Sequence, residues 1–340
     1  MKEPEEMSPR ERVRLAIRKR RTERIPHQID LTEGFAAKLK RKTECGDADA
    51  FLGNHLVKAK YKKNRKLPDG REVDLFGVTW AKDPGGGDVG IIVDHPLKSP
   101  DFSGYRFPEV QEDFARAQAR SLERDERKAF RMFLLTMNYF ERAWSLRGME
   151  NLLADMVLNP RFVEELFERI LAHHLALLDI VLDYDFDAVY IGDDWGQQKG
   201  LIMGPPMWRT FIKPGMRTMF DLIKRRGKYV CLHSCGDLRD ILPELVDMGL
   251  DIYNTIQPEI YDLEALKREY GRHLTFYGGI STQQFLPYAS PAEVRDLARR
   301  VRKIMGRDGG YILAPTHAVT DDIPVENVLA IVEVAGEPND

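Results

Sequence analysis

Residues Ala188–Gln257 read AVYIGDDWGQQKGLIMGPPMWRTFIKPGMRTMFDLIKRRGKYVCLHSCGDLRDILPELVDMGLDIYNTIQ. Three short apolar runs, Ala188–Gly192, Tyr229–His233 and Ile252–Gln257, alternate with two longer stretches of helical character, Pro206–Arg225 and Leu238–Met248. Runs of this length suit buried strands, and the stretches between them are long enough to be crossover helices. Strands joined by such crossovers lie parallel, with helices on their faces.

The same rhythm extends in both directions. Upstream are a strand at Met132–Met137, a helical stretch through Trp144 and a long helix opened by Asn159-Pro160, carrying Phe162, Leu166, Ile170, Leu177 and Val181. Downstream come helix Leu263–Tyr270, strand Leu274–Ile280, a helix from the capping box Ser290-Pro291-Ala292-Glu293 to Gly306, strand Tyr311–Ala314 and helix Pro324–Val334. At the other end, Ser8-Pro9-Arg10-Glu11 caps a first helix, and Ile25–Leu31 reads as a strand. From about Gly34 to Pro108 the pattern is irregular. Val73–Trp80 and Gly90–Val93 look like strands joined by the loop Asp83-Pro84-Gly85-Gly86-Gly87, an elaboration too polar to hold a core of its own. The strand count approaches eight. An open doubly wound sheet usually opens on a glycine-rich phosphate loop, and no such motif is present. The expectation is a single α/β domain over residues 1–340, a (β/α)8 TIM barrel with an elaboration near residues 34–108.

Composition narrows the function. The 340 residues are 43% apolar and 31% charged with a net charge of −3, which gives no field for nucleic acid or a membrane surface. The run Arg18-Lys19-Arg20-Arg21 ends a helix, where positive charge offsets the dipole. Three cysteines, Cys45, Cys231 and Cys235, make no disulfide framework, and neither a signal peptide nor a long apolar span appears. A cytoplasmic protein is expected.

Barrel enzymes work at the carboxyl ends of their strands. The polar residues closing these strands are Asp30, Asn138, Asp193 with Asp194, His233 with Cys235, Gln257, Tyr277 and His317, and the first strand also carries His27. In Tyr229–Gly236, side chains alternate, so Cys231, His233 and Cys235 share a face opposite Val230 and Leu232. An imidazole and a thiol two residues apart can converge on one ion, and mixed nitrogen and sulfur ligation favours zinc. His317 is the candidate third ligand, leaving a fourth position open as in catalytic sites. The competing reading is a packed histidine and a buried thiol. One of Asp193 and Asp194, with Asp194 favoured, could be a catalytic acid, or both could cap the next helix. Trp195 and Tyr277 could line a substrate pocket or fill the barrel. His173-His174, among leucines, reads as packing and surface.

These motifs resemble the uroporphyrinogen decarboxylase superfamily, particularly its corrinoid-dependent methyltransferase branch. The resemblance rests on Ser8-Pro9-Arg10-Glu11-Arg12-Val13, Asp74-Leu75-Phe76-Gly77-Val78-Thr79-Trp80, Leu146-Arg147-Gly148-Met149-Glu150, Gly192-Asp193-Asp194, His233-Ser234-Cys235-Gly236, Tyr277-Gly278-Gly279-Ile280 and Ala314-Pro315-Thr316-His317. Decarboxylases of the family carry an arginine-rich clamp on their first strand. Ile25–Leu31 has none and presents His27 and Asp30 instead. Methyltransferases of the branch hold zinc with His-x-Cys and a later cysteine, and this chain has His317 where that cysteine is expected. The resemblance implies methyl transfer between a small methyl donor, such as a methoxylated aromatic, and a corrinoid carried by a partner protein, in a direction left open. Zinc or an acid such as Asp194 would stabilise the leaving oxygen or nitrogen. His27, Asp30, Asn138, Trp195, Gln257 and Tyr277 would contact substrate. A decarboxylase, or a non-catalytic barrel that binds a corrinoid protein, are the alternatives.

Overall fold

A computed structural model of the chain describes residues 7–82 and 90–339. The loop Asp83–Gly87 lies outside them. Seven strands form one sheet in the order Leu56–Lys60, Phe130–Leu135, Ala188–Gly192, Tyr229–His233, Ile252–Ile256, Thr275–Ile280, Tyr311–Pro315. The registers of 229–233 on 188–192, of 252–256 on 275–280 and of 275–280 on 311–315 are all parallel. Every residue of the last three strands is buried, as expected where both faces of a parallel sheet are covered. Among the described residues, no helix is long and apolar enough to cross a membrane. The chain packs as two compact units, one of Met1–Lys58, Arg124–Met132 and Leu250–Asp340, the other of Ala59–Glu123 and Phe133–Gly249.

In the first unit both N-caps form, the second as a full capping box and the first without the reciprocal bond from its glutamate. Ser8 Oγ accepts the Glu11 amide at 3.2 Å and opens helix Pro9–Ile17. The Glu293 carboxylate accepts the Ser290 amide at 2.8 Å and opens helix Pro291–Met305, whose buried Val294, Ala298, Val301 and Met305 form one stripe. The segment Ile25–Leu31 departs from expectation. It meets the last strand at one isolated bridge, His27 to Leu313, and the segment after that strand at another, Leu31 to Val319. Pro26 has no N–H to give, and the Asn54 side chain takes both backbone groups of Ile29, at 2.8 and 2.9 Å, in place of a neighbouring strand. Helices Glu33–Thr43 and Ala48–Phe51 and strand Leu56–Lys60 escaped the sequence reading. Helix Glu33–Thr43 buries only Phe35 and Leu39, and strand Leu56–Lys60 carries two lysines in five residues.

In the second unit the elaboration forms an antiparallel sheet of Arg65–Lys66, Glu72–Val73, Thr79–Ala81 and Ile91–Asp94. The single strand expected over Val73–Trp80 is broken by Asp74. Its Oδ1 accepts the amides of Phe76 and Val78, at 2.9 and 3.0 Å, and folds the segment into a turn. Its Oδ2 accepts from Arg142 at 2.7 Å, and the same guanidinium lies 4.1 Å from the Phe76 ring centre. The long helix occurs as Pro160–Val181. Asn159 occupies its cap position, but the side chain donates to Asp155 at 2.8 Å rather than accepting an amide. The helix expected over 206–225 is divided: Gly204–Met207, a wider turn over Trp208–Ile212, then Lys213–Arg225. Pro214 lacks the N–H that a regular turn needs, and the widening comes just before it.

Candidate functional site

Two strand-end loops of the second unit are zipped together. Strand Ala188–Gly192 runs into Asp193-Asp194-Trp195-Gly196-Gln197, and strand Tyr229–His233 into Ser234-Cys235-Gly236-Asp237. Between them the Asp193 amide donates to His233 O at 3.0 Å, Gly196 N to Cys235 O at 3.2 Å and Asp237 N to Gln197 O at 2.9 Å. Trp195 N donates to Ser234 Oγ at 2.9 Å, and Cys235 N to Asp194 Oδ1 at 2.8 Å. Such contact requires two glycines. Gly236 has φ +82°, and a Cβ on it would fall 2.1 Å from the Gly196 carbonyl carbon.

This zipper presents His233, Cys235 and Asp194 together. His233 Nε2 lies 3.7 Å from Cys235 Sγ and 3.7 Å from Asp194 Oδ1, and the imidazole stacks on Tyr190 with ring centres 5.8 Å apart. His233 is half-buried, its side chain 18% exposed. A tetrahedral zinc with Zn–N near 2.05 Å and Zn–S near 2.3 Å sets its nitrogen and sulfur about 3.6 Å apart. The observed 3.7 Å fits that edge, and one imidazole with one thiol is a zinc-type donor set. Burial pushes the Cys235 thiol well above its ordinary value, and the negative charges of Asp194 and Glu141 push the same way. A thiol so placed ionises readily only beside a cation.

Asp193 has a different role from its neighbour. Fully buried, its carboxylate accepts the amides of Tyr139, Phe140 and Glu141 at 3.1, 2.9 and 2.8 Å and the Trp195 indole at 2.6 Å. It caps helix Phe140–Arg147, which lies upstream in the chain and is not the next helix that the sequence suggested. Burial raises its carboxyl to about 6 against the pull of those four donors. Glu141 was not singled out by the sequence. Burial first, then the charges of Asp194 and Asp193, hold its carboxyl well above the ordinary range. A lone glutamate in the first turn of a short helix gives no sequence signal, since only the fold brings it to Asp194.

The first unit carries a second polar cluster. Asp30 accepts Gln28 Nε2 at 2.9 Å, Tyr277 OH at 3.3 Å and Lys58 Nζ, and Lys58 also donates to Tyr277 OH at 3.1 Å. Burial alone would raise the Asp30 carboxyl; the Lys58 charge and the hydrogen bonds from Lys58, Gln28 and Tyr277 hold it below its ordinary value. Lys58 is a cation that the sequence reading did not place at the strand ends. His317 follows strand Tyr311–Pro315 and is half-buried, and Gln257 is nearly buried at the end of Ile252–Ile256.

Several expected substrate contacts are enclosed. His27 is buried, its Nε2 bonded to Leu52 O at 2.8 Å and its ring edge-on to His55. Asn138 has no exposed surface; its carbonyl accepts from His174 at 2.8 Å and its amide side chain lies against Met216. Trp195 is also fully buried, packed edge-on against Trp208. Each of the three serves a backbone group or a packed ring. His173 and His174 are both buried, so the surface half of their expected role is corrected.

A parallel α/β sheet with polar side chains gathered at its strand ends is the arrangement of α/β enzymes. The profile of the uroporphyrinogen decarboxylase (URO-D) family matches residues 136–338, and the chain belongs to that family. No curated protein matches it in sequence. Among solved structures, a methyltransferase from Methanosarcina mazei superposes with a TM-score of 0.76 at 16% identity, over 98% of this chain and 99% of that one. A 3-keto-D-glucoside 4-epimerase from E. coli is a looser match, with a TM-score of 0.41 at 13% identity over 65% of this chain and 84% of that one. At these identities the likeness speaks for fold alone.

Proposed function

We propose that this protein is a methyltransferase that moves a methyl group between a small donor, a methoxylated aromatic being the favoured class, and a corrinoid carried on a partner protein. In this reading the chain is one eight-stranded barrel domain. The seven-strand parallel sheet supports it, as do the bonds of residues 26–32 to Leu313 and Val319. His233, Cys235 and His317 are the zinc ligands we assign.

The observation that carries the proposal is the 3.7 Å separation of His233 Nε2 and Cys235 Sγ, the edge of a tetrahedral site, in a family with a methyltransferase-like fold among its structural neighbours. Zinc held there would supply Lewis acidity toward the oxygen or nitrogen that the methyl group leaves or joins. The protein's own residues do the rest. The Asp194 carboxylate fixes the Cys235 amide and stands 3.7 Å from His233, where it can orient the imidazole or relay a proton from solvent to a leaving atom. Glu141 and Asp193 keep further carboxyl groups beside it. The absence of arginine from residues 25–31 weighs against an anionic tetrapyrrole substrate.

The test mixes purified protein with a reduced corrinoid protein and a panel of methyl ethers, amines and thiols, following methylation of the corrinoid by its absorption spectrum. Methylation from at least one donor, lost in Cys235→Ser, is expected. No transfer across the panel together with turnover of a porphyrinogen would reverse the proposal in favour of a decarboxylase, and corrinoid-protein binding with neither activity would favour a docking role.

A further inference from the structure

The run Arg18-Lys19-Arg20-Arg21, which methyl transfer does not use, borders an open pocket of about 210 Å³ within the first unit. Three stretches of chain wall it: Arg20 to Thr22, the loop carrying Gly306 and Gly309, and Asn339 near the carboxyl end. Tyr311, which opens strand Tyr311–Pro315, also lines it. The walls are fastened to one another. Asn339 donates its backbone amide to Glu23 O at 2.8 Å and its Nδ2 to Thr22 O at 2.7 Å. A Cβ on Gly309 would fall 2.7 Å from Arg20 O, and one on Gly306 2.3 Å from Ile25 Cδ1, so the glycines let the loop close here.

Cations surround this pocket. Arg20 and Arg21 are exposed, and among the described residues neither guanidinium has an ion-pair or hydrogen-bond partner. Two ammonium groups lie deeper. Lys267 is 5% exposed and donates to Gly309 O at 2.6 Å, and Lys19 donates to Ile17 O at 3.2 Å and Thr275 Oγ1 at 2.7 Å. All three acceptors are neutral. A Cβ on Gly310 would lie 2.9 Å from Lys19 Cδ and 3.5 Å from Lys267 Nζ, so the two side chains pass close together. Burial, then the Lys267 charge, lowers the Lys19 amine to about 8, and burial lowers that of Lys267 to about 8; Asp251 and Asp308 counter these shifts only in part. Charge sunk among neutral groups is poorly compensated, and a nearby anion relieves it.

We propose that the pocket binds a phosphate group, gripped by Arg20 and Arg21 in the field of Lys19 and Lys267. The guanidinium fork matches paired phosphate oxygens. A neutral molecule gains nothing from the field, and a carboxylate brings one charge where phosphate brings roughly two. Free phosphate and the phosphate end of a nucleotide share this chemistry.

The experiment is calorimetric titration of the full chain with inorganic phosphate, adenosine monophosphate and acetate at fixed ionic strength. One phosphate per chain is expected to bind, about tenfold or more tightly than acetate. Arg20→Gln and Arg21→Gln change exposed side chains and should each weaken phosphate about tenfold. Tighter binding of the nucleotide than of phosphate names a nucleotide as the source, and equal or weaker binding names free phosphate. Should a variant fail to fold, thermal unfolding of wild type decides: phosphate should raise Tm above that in chloride of the same ionic strength. Equal melting in the two salts, acetate binding as tightly as phosphate, no phosphate binding, or binding undiminished when both arginines are replaced overturns the site.

Discussion

Gly196 and Gly236 face each other backbone to backbone: a Cβ on Gly196 would sit 2.6 Å from the Gly236 carbonyl carbon, and one on Gly236 would meet Gly196 more closely still. The contact lets the loop after strand Ala188–Gly192 grip the turn that carries His233 and Cys235. Gly236→Ala combines a backbone clash with a positive φ, and a loss of about 3 kcal/mol or more is expected in urea unfolding. Zinc content should fall with it. A variant as stable as wild type would show that the loops can part without cost.

Asp193 gathers four hydrogen-bond donors inside the protein, so its removal strands three helix-end amides and an indole. Asp193→Ala should cost about 3 kcal/mol by thermal or urea unfolding, and Asp193→Asn, which keeps one acceptor, should recover part of it. An effect below the error of the measurement would mean that water replaces the carboxylate.

His174 supplies a pH test. Burial lowers its imidazole from 6.5 to about 3, with His173 adding repulsion and the Asn138 carbonyl pulling back. The unfolded chain therefore binds a proton near pH 6.5 that the folded chain refuses until about pH 3. Stability contributed by the neutral ring is present above pH 6.5 and is lost as pH falls toward 3, by at most about 1.4 kcal/mol per pH unit. His174→Gln keeps a donor for Asn138 O and cannot take up a proton. Its stability should fall less than that of wild type between pH 6 and 4, and identical slopes would count against the assignment.

Strand and helix alternation after residue 130 was legible because each strand is a short, mostly apolar run, and strands Ala188–Gly192 and Tyr229–His233 fall on the residues expected. The N-terminal third was not. Helix Glu33–Thr43 and strand Leu56–Lys60 have thin apolar faces, and Asp74 turns what looks like one strand into two. Periodicity carries no information about a carboxylate that bonds its own backbone.

The site divides in the same way. His233 and Cys235 meet 3.7 Å apart at their tips, although the strand ends at His233 and the loop bonded to Asp194, not strand alternation, places Cys235. Position at a strand end favoured Asp194, beside the imidazole, but gave no sign that Asp193 is locked under a helix. Nor did it reveal that Asn138 and Trp195 are spent on packing, or that Lys58 and Glu141 join polar clusters from segments without a motif. Those outcomes depend on which backbone amides and charges arrive from elsewhere in the chain.

Metal analysis of the purified protein tests the central claim most directly. Wild type incubated with zinc and then desalted should retain about one tightly held ion per chain, and His233→Ala, Cys235→Ser and His317→Ala should each lose most of it while still folding. A wild-type chain that holds no zinc, or a Cys235→Ser chain that holds as much as wild type, would contradict it.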